Sequence, residues 1–148
     1  MRLRQLVTVM ALGVLAGSCS LGDSTDSAVI NLFIGVSDSQ LATDEEMTIT
    51  VTARNVGFDP ITLTGPGNCL IYVDALDSQG QIVWNSNSGC TATVSEELVV
   101  GVDKVVTFTW AGQNQGGGRL PGGFYHLRAV ARMADQAYFG PPVSVALE

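Results

Sequence analysis

From Met47 to Ala53 apolar and polar residues alternate without a break: Met47, Ile49, Val51 and Ala53 fall on one side, and Thr48, Thr50 and Thr52 on the other. A period of two with β-branched residues predicts a strand with one buried face. Lys104-Val-Val-Thr-Phe-Thr-Trp110 repeats the pattern and places Val106, Phe108 and Trp110 together. Over 124–133 the same rule sets Tyr125, Leu127, Ala129 and Ala131 against Phe124, His126, Arg128 and Val130. Shorter apolar runs at 28–37, 61–64, 69–76, 81–85, 96–100 and 142–147 are separated by clusters of Gly, Pro, Asn and Asp. Eight or nine short strands, with no amphipathic helix among them, predict an all-β fold, an immunoglobulin-like antiparallel β-sandwich of one domain over 28–148.

The first residues follow another pattern. Arg2 and Arg4 precede an uncharged apolar run of ten residues, 6–15, and then Ala16, Gly17, Ser18 and Cys19. A basic start, a short apolar core and a small-residue exit predict a signal peptide over 1–18. The run is too short for a permanent membrane helix, which needs about 20 residues. Leu15-Ala-Gly-Ser-Cys19 resembles the lipobox of bacterial lipoproteins, which makes Cys19 a candidate lipid-attachment site. Ala16-Gly17-Ser18 also satisfies the small-x-small rule of ordinary secretion, so both processing routes stay open. Residues 19–27 are small, polar and Gly/Ser-rich, the composition of a flexible tether. Ser20, rather than Asp, follows Cys19, which fits an outer-membrane destination in a cell with two membranes.

The three cysteines sharpen this picture, since an odd one in an exported chain calls for an explanation. Cys69-Leu-Ile-Tyr-Val-Asp-Ala-Leu76 and Gln81-Ile-Val-Trp-Asn85 flank Asp77-Ser-Gln-Gly80, a hairpin with an Asp/Gly turn. Centring the turn between Ser78 and Gln79 sets Cys69 opposite Ser88, two residues from Cys90, with Gly89 giving the chain slack. A Cys69–Cys90 disulfide is the expectation, and free thiols or metal ligands are the alternatives. Neither cysteine has a second one at C-x2-4-C spacing, so the metal reading is weak. With that pair bonded, Cys19 is the odd cysteine.

Residues 19–148 carry five basic and fourteen acidic side chains, a net charge of −9. Such a surface argues against nucleic acid and against electrostatic attachment to anionic headgroups, leaving the lipid anchor as the expected membrane contact. Catalytic chemistry lacks its parts: His126 is the one histidine, and no G-x-S-x-G elbow accompanies it. Asp44-Glu45-Glu46 lacks the D-x-D-x-D-G calcium pattern, and Asp74 and Asp77 read as turn-formers near a hairpin tip. Gly116-Gly-Gly118 precedes no Lys-Ser/Thr and no helix, so it is not a phosphate loop. We therefore expect no catalytic residue, no metal and no cofactor. Trp84, Trp110 and Tyr72 read as core residues, and Tyr125 after Gly122-Gly123 reads as a tyrosine corner.

The segment from Met47 to about Arg132 resembles the BsuPI family, named for an intracellular proteinase inhibitor. The likeness rests on the threonine-rich strand ending at Asn55, Asp77-Ser-Gln-Gly-Gln-Ile-Val-Trp84, Val105-Val-Thr-Phe-Thr-Trp110, and Leu120-Pro-Gly-Gly-Phe-Tyr125 continuing to Ala129. The resemblance implies an immunoglobulin-like sandwich and, by analogy, proteinase inhibition. Cys69, Cys90 and the signal peptide are not part of the family's pattern. The leading expectation is thus a non-catalytic envelope lipoprotein that binds an envelope protein. The alternative is a proteinase inhibitor whose loop 112–123 blocks a protease, although six glycines there predict flexibility.

Overall fold

The computed structural model describes residues 29–66, 69–134 and 136–148. The predicted signal peptide 1–18, the tether 19–27 and Cys19 lie outside the described residues. Among the described residues there are eleven strands and no helix: β1 Ile30–Val36, β2 Gln40–Leu41, β3 Met47–Asn55, β4 Ile61–Pro66, β5 Ile71–Leu76, β6 Ile82–Asn85, β7 Thr93–Leu98, β8 Asp103–Trp110, β9 Gly123–Met133, β10 Gln136–Phe139 and β11 Val143–Leu147. One sheet has the order β1-β3-β8. The other has the order β2-β11-β9-β5-β6, with β10 also on β9, and β4 and β7 form a separate ribbon. The all-β, immunoglobulin-like sandwich is the observed fold.

The alternation read from sequence sets which face goes inside. β3 buries Met47, Ile49, Val51, Ala53 and Asn55, and its threonines turn outward beside Thr107 and Thr109 of β8. From the opposite layer β9 supplies Tyr125, Leu127, Ala129 and Ala131, and β5 supplies Ile71, Val73 and Ala75. Trp84, Trp110 and Tyr125 form a chain of rings inside, with centroids 5.7 and 6.3 Å apart. Burying such side chains at ~25 cal/mol per Å2 drives the two layers together.

Two features complicate the plan of the sandwich. β2 pairs with β11 in parallel, through Gln40↔Ala146 and Leu41↔Leu147. The first strand is thus split, with β1 in one sheet and β2 in the other. β9 has two partners on one edge, since Phe139 pairs with Val130 whereas Val143 pairs with Leu127. Gly140-Pro141-Pro142 separates these two ladders, as proline has no N–H to give. Gly140 also sits tight against β1: a Cβ there would lie 2.9 Å from the Leu32 carbonyl oxygen.

The hairpin differs from its sequence expectation by two residues. Asp77 N–H donates to the Gln81 carbonyl at 3.0 Å, and Gly80 takes φ 77°. A turn followed by a left-handed glycine adds one residue to the loop. A bulge follows, because Leu76 pairs with Ile82 while Ala75 pairs with Trp84, skipping Val83. Each bulge moves the register by one. Together they bring Cys69, expected opposite Ser88, level with Cys90 and keep every side chain on its face. The Cys69–Cys90 disulfide forms, with the Cα atoms 6.1 Å apart.

Candidate functional site

The strand directions give the sandwich two ends. β1 begins, β3 finishes and β8 begins at one, since Ile30 pairs with Asn55 and Arg54 with Asp103. Because Met47 pairs with Trp110, the other end holds loops 42–46 and 112–122, with the carboxy-terminal residues beside them.

Loop 112–122 is a small, closed hairpin. Asn114 accepts from the Gly116 and Gly118 N–H groups through Oδ1, at 2.9 and 3.0 Å, while its own N–H donates to the Gly118 carbonyl. Leu120 N–H donates to the Gly112 carbonyl, and Trp110 Nε1 donates to the Gln113 carbonyl. Gln115 ties the loop to the edge of β6: its N–H donates to the Val83 carbonyl and its Oε1 accepts from Asn85 N–H. Arg119 donates to the carbonyls of Ala111, Leu41, Ala42 and Glu148 at 2.8 to 3.4 Å, joining loop, β2 and carboxy-terminus. The flexibility expected from glycine content is not what these bonds describe. The glycines let backbone N–H groups converge on Asn114, and the loop is fixed.

Tyr125 completes this end as a tyrosine corner, its hydroxyl donating to the Pro121 carbonyl at 2.9 Å. Between Leu120–Tyr125 and the hairpin tip Asp77–Gly80 lies an open cleft of about 440 Å3. Phe124, 72% exposed, stands at its rim, and Ile82 beside the tip is also exposed. Asp77 is the turn-former expected, accepting from Gln79 and Gln81 N–H at 2.9 Å.

Asp74 is not a turn-former. It is 3% exposed on β5 and accepts from Arg128 Nη2 at 2.8 Å across the β5–β9 pair. The Arg128 guanidinium also lies over the Phe139 ring, 4.3 Å from its centre. Val130, read from alternation as facing outward, is fully buried there between Tyr72 and Phe139. His126 on the same face is half-buried, its Nδ1 3.0 Å from Ser144 Oγ. Neither a nucleophilic cysteine nor a cluster of acids faces it among the described residues, where no group of three His, Cys, Asp or Glu is placed to hold a metal.

At the opposite end the organising residue is Asn55, which in the sequence is only the residue that ends the threonine-rich strand. It is fully buried, and Nδ2 donates to the Asp59 and Leu98 carbonyls at 2.8 and 3.0 Å. Its Oδ1 accepts from Gly57 N–H, and its carbonyl accepts from Gly101 N–H. One residue thus joins the two loops, its side chain holding loop 56–60 and the end of β7 and its carbonyl holding loop 99–102. Beside it Arg54 and Asp103 pair at 2.6 and 2.7 Å, and the hydrogen bond from Arg54 holds the Asp103 carboxyl below its usual range.

No protein-family model matches the chain, and no curated protein does. Solved structures with a similar fold include the sporulation control protein Spo0M from Bacillus subtilis, at TM-score 0.52 and 10% identity, over 81% of this chain and 49% of that one. They also include the alkylpurine DNA glycosylase AlkC from Pseudomonas fluorescens bound to DNA containing an abasic site analog, at TM-score 0.51 and 9% identity, over 81% of this chain and 30% of that one. This chain therefore spans less than half of either protein. At such identities the likeness is one of fold alone.

Proposed function

We propose that the chain is a non-catalytic cell-envelope lipoprotein, anchored through Cys19, whose sandwich binds a partner protein with the end that carries loop 112–123. The observation that carries this reading is the fixed cleft between that loop and the hairpin tip, with Phe124 exposed at its rim. A preorganised surface loses little entropy on binding, and a solvent-facing aromatic beside a cleft is the kind of anchor that dominates interfaces. The disulfide supports an exported location, since such bonds persist in oxidising compartments. Placing a photo-crosslinking residue at position 124 in cells and identifying the captured proteins tests the reading. Specific capture at 124, absent with the same residue at Thr50 on the outer face of β3, supports it; equal capture at both positions counts against it.

One observation favours a second reading, proteinase inhibition in line with the BsuPI resemblance. An inhibitory loop needs a fixed conformation, and Asn114, Gln115 and Arg119 give loop 112–123 one. A panel of serine proteases assayed with the purified protein decides this. Absence of inhibition at micromolar protein removes the inhibitor reading and leaves the first untouched.

A further inference from the structure

Val56 and Phe58 in loop 56–60, with Val99, Val100 and Val102 in loop 99–102, make five of these nine residues large, apolar and exposed. Phe58 is 100% exposed. Loops 42–46 and 112–119 at the other end present polar and acidic side chains instead, among them Asp44, Glu45 and Glu46. Single exposed apolar residues are ordinary, but five in two joined loops mark a contact surface. The surface is held by Asn55, whose side chain bonds to loop 56–60 and to Leu98 at the end of β7, and whose carbonyl accepts from Gly101 N–H of loop 99–102.

What faces this surface is indicated by where the chain enters the domain. Val29 lies in the patch: its carbonyl accepts from Val56 N–H at 2.9 Å, and its side chain is in contact range of Gly57. With Val56, Phe58, Pro60, Ile61 and the acid Asp59 it lines a largely apolar groove of about 390 Å3. Nine residues lie between Cys19 and Val29, ten Cα–Cα steps and a span of at most ~35 Å. A lipid on Cys19 therefore keeps this end of the sandwich near the bilayer, whereas Phe124 lies at the far end.

We propose that the Phe58 end docks on the phospholipid surface that holds the anchor, with Phe58 entering the boundary between headgroups and acyl chains. The proposal rests on the reading of Cys19 as lipidated. It adds an apolar contact to a membrane attachment that the sequence assigns to the lipid alone. The charge around the patch, exposed Asp59 and the neutral Arg54–Asp103 pair on an acidic chain, selects against anionic headgroups, so the attraction is hydrophobic. An aromatic residue surrounded by valines suits that boundary region.

The test uses the membrane-extracted chain in phosphatidylcholine vesicles, with and without bromine on the acyl chains. Phe58→Trp carries a reporter at the tip and Phe124→Trp one at the far end. Trp84 and Trp110 lie in the core, so the unsubstituted protein supplies the background. We expect the emission from position 58 to shift to the blue and to be quenched by brominated lipid, and that from position 124 to do neither. Quenching at neither position, or equally at both, overturns the proposal. A blue shift at 58 that grows with protein concentration without vesicles assigns the patch to a second copy and also overturns it. Mass spectrometry of the same preparation reports on Cys19 separately. If Cys19 is bare, adding the chain to preformed vesicles decides the docking alone: quenching at 58 sustains it, and its absence overturns it.

Discussion

Residue by residue, the polar groups that hold this protein together are the least visible in its sequence. Asn55 follows a strand and precedes Val-Gly57, a pattern that announces a turn but not that the side chain bonds to Leu98, 43 residues further on. Asn55→Ala leaves two carbonyls and an N–H without partners inside the protein, each costing ~1–3 kcal/mol. A loss of about 3 kcal/mol in urea unfolding is expected, with loop 56–60 and the end of β7 gaining hydrogen-exchange rate together. Asp74 is similar, as its place near a turn suggested solvent while the pairing of β5 with β9 buried it against Arg128. Arg128→Ala strands a buried carboxylate at a cost of ~3–5 kcal/mol, and Asp74→Asn costs less because the amide carries no charge. The exposed Asp103–Arg54 pair gives a small pH signature. The folded pKa of Asp103 is depressed, so its contribution is present above about pH 4 and lost as pH falls through the lower folded value. The stability gap between the protein and Asp103→Asn should therefore narrow in acid, and a gap unchanged down to pH 2 rules the pair out as its source.

For the elements, alternation carried most of the information. Burial on the inner faces of β3 and β9 follows directly from the spacing of Met47 to Ala53 and of Tyr125 to Ala131. β2 and β10 escaped because neither has an apolar pattern of its own: Gln40–Leu41 is two residues long, and Gln136–Phe139 is exposed along most of its length. Their pairing is dictated by β11 and β9, which pattern in a short segment does not encode. Register in the β5–β6 hairpin was legible only to within its bulges, since the left-handed Gly80 and the extra Val83 are tertiary choices that a symmetric turn does not anticipate. The disulfide closes a loop with a sequence separation of 21. Cys69→Ser with Cys90→Ser should lower stability by about 3 kcal/mol, read from the denaturant midpoint against the oxidised protein. Gly140→Ala should cost ~1–3 kcal/mol by forcing β1 away from the β10–β11 junction, and no change in midpoint would show that the junction yields freely.

Across the whole molecule, the sequence conveyed an acidic β-sandwich with one disulfide, whereas the two ends proposed to act emerge only in three dimensions. Phe124 and the hairpin tip are about 45 residues apart in the chain and meet because β9 lies beside β5. Phe58 and Val100 are brought to one end by buried Asn55, which bonds to loop 56–60 through its side chain and to Gly101 through its carbonyl. The glycines of loop 112–122 pointed away from a fixed surface by composition, while their hydrogen bonds make one. The split first strand bears on more than topology. Tension applied through the residues before Val29, against a partner held at the far end, runs along the strands. It meets the β1–β3 ladder in shear, all seven residue pairs sharing the strain at once instead of parting one after another. Beyond that ladder the force must also strip β2 from β11, so the first strand is among the hardest parts of the domain to pull out.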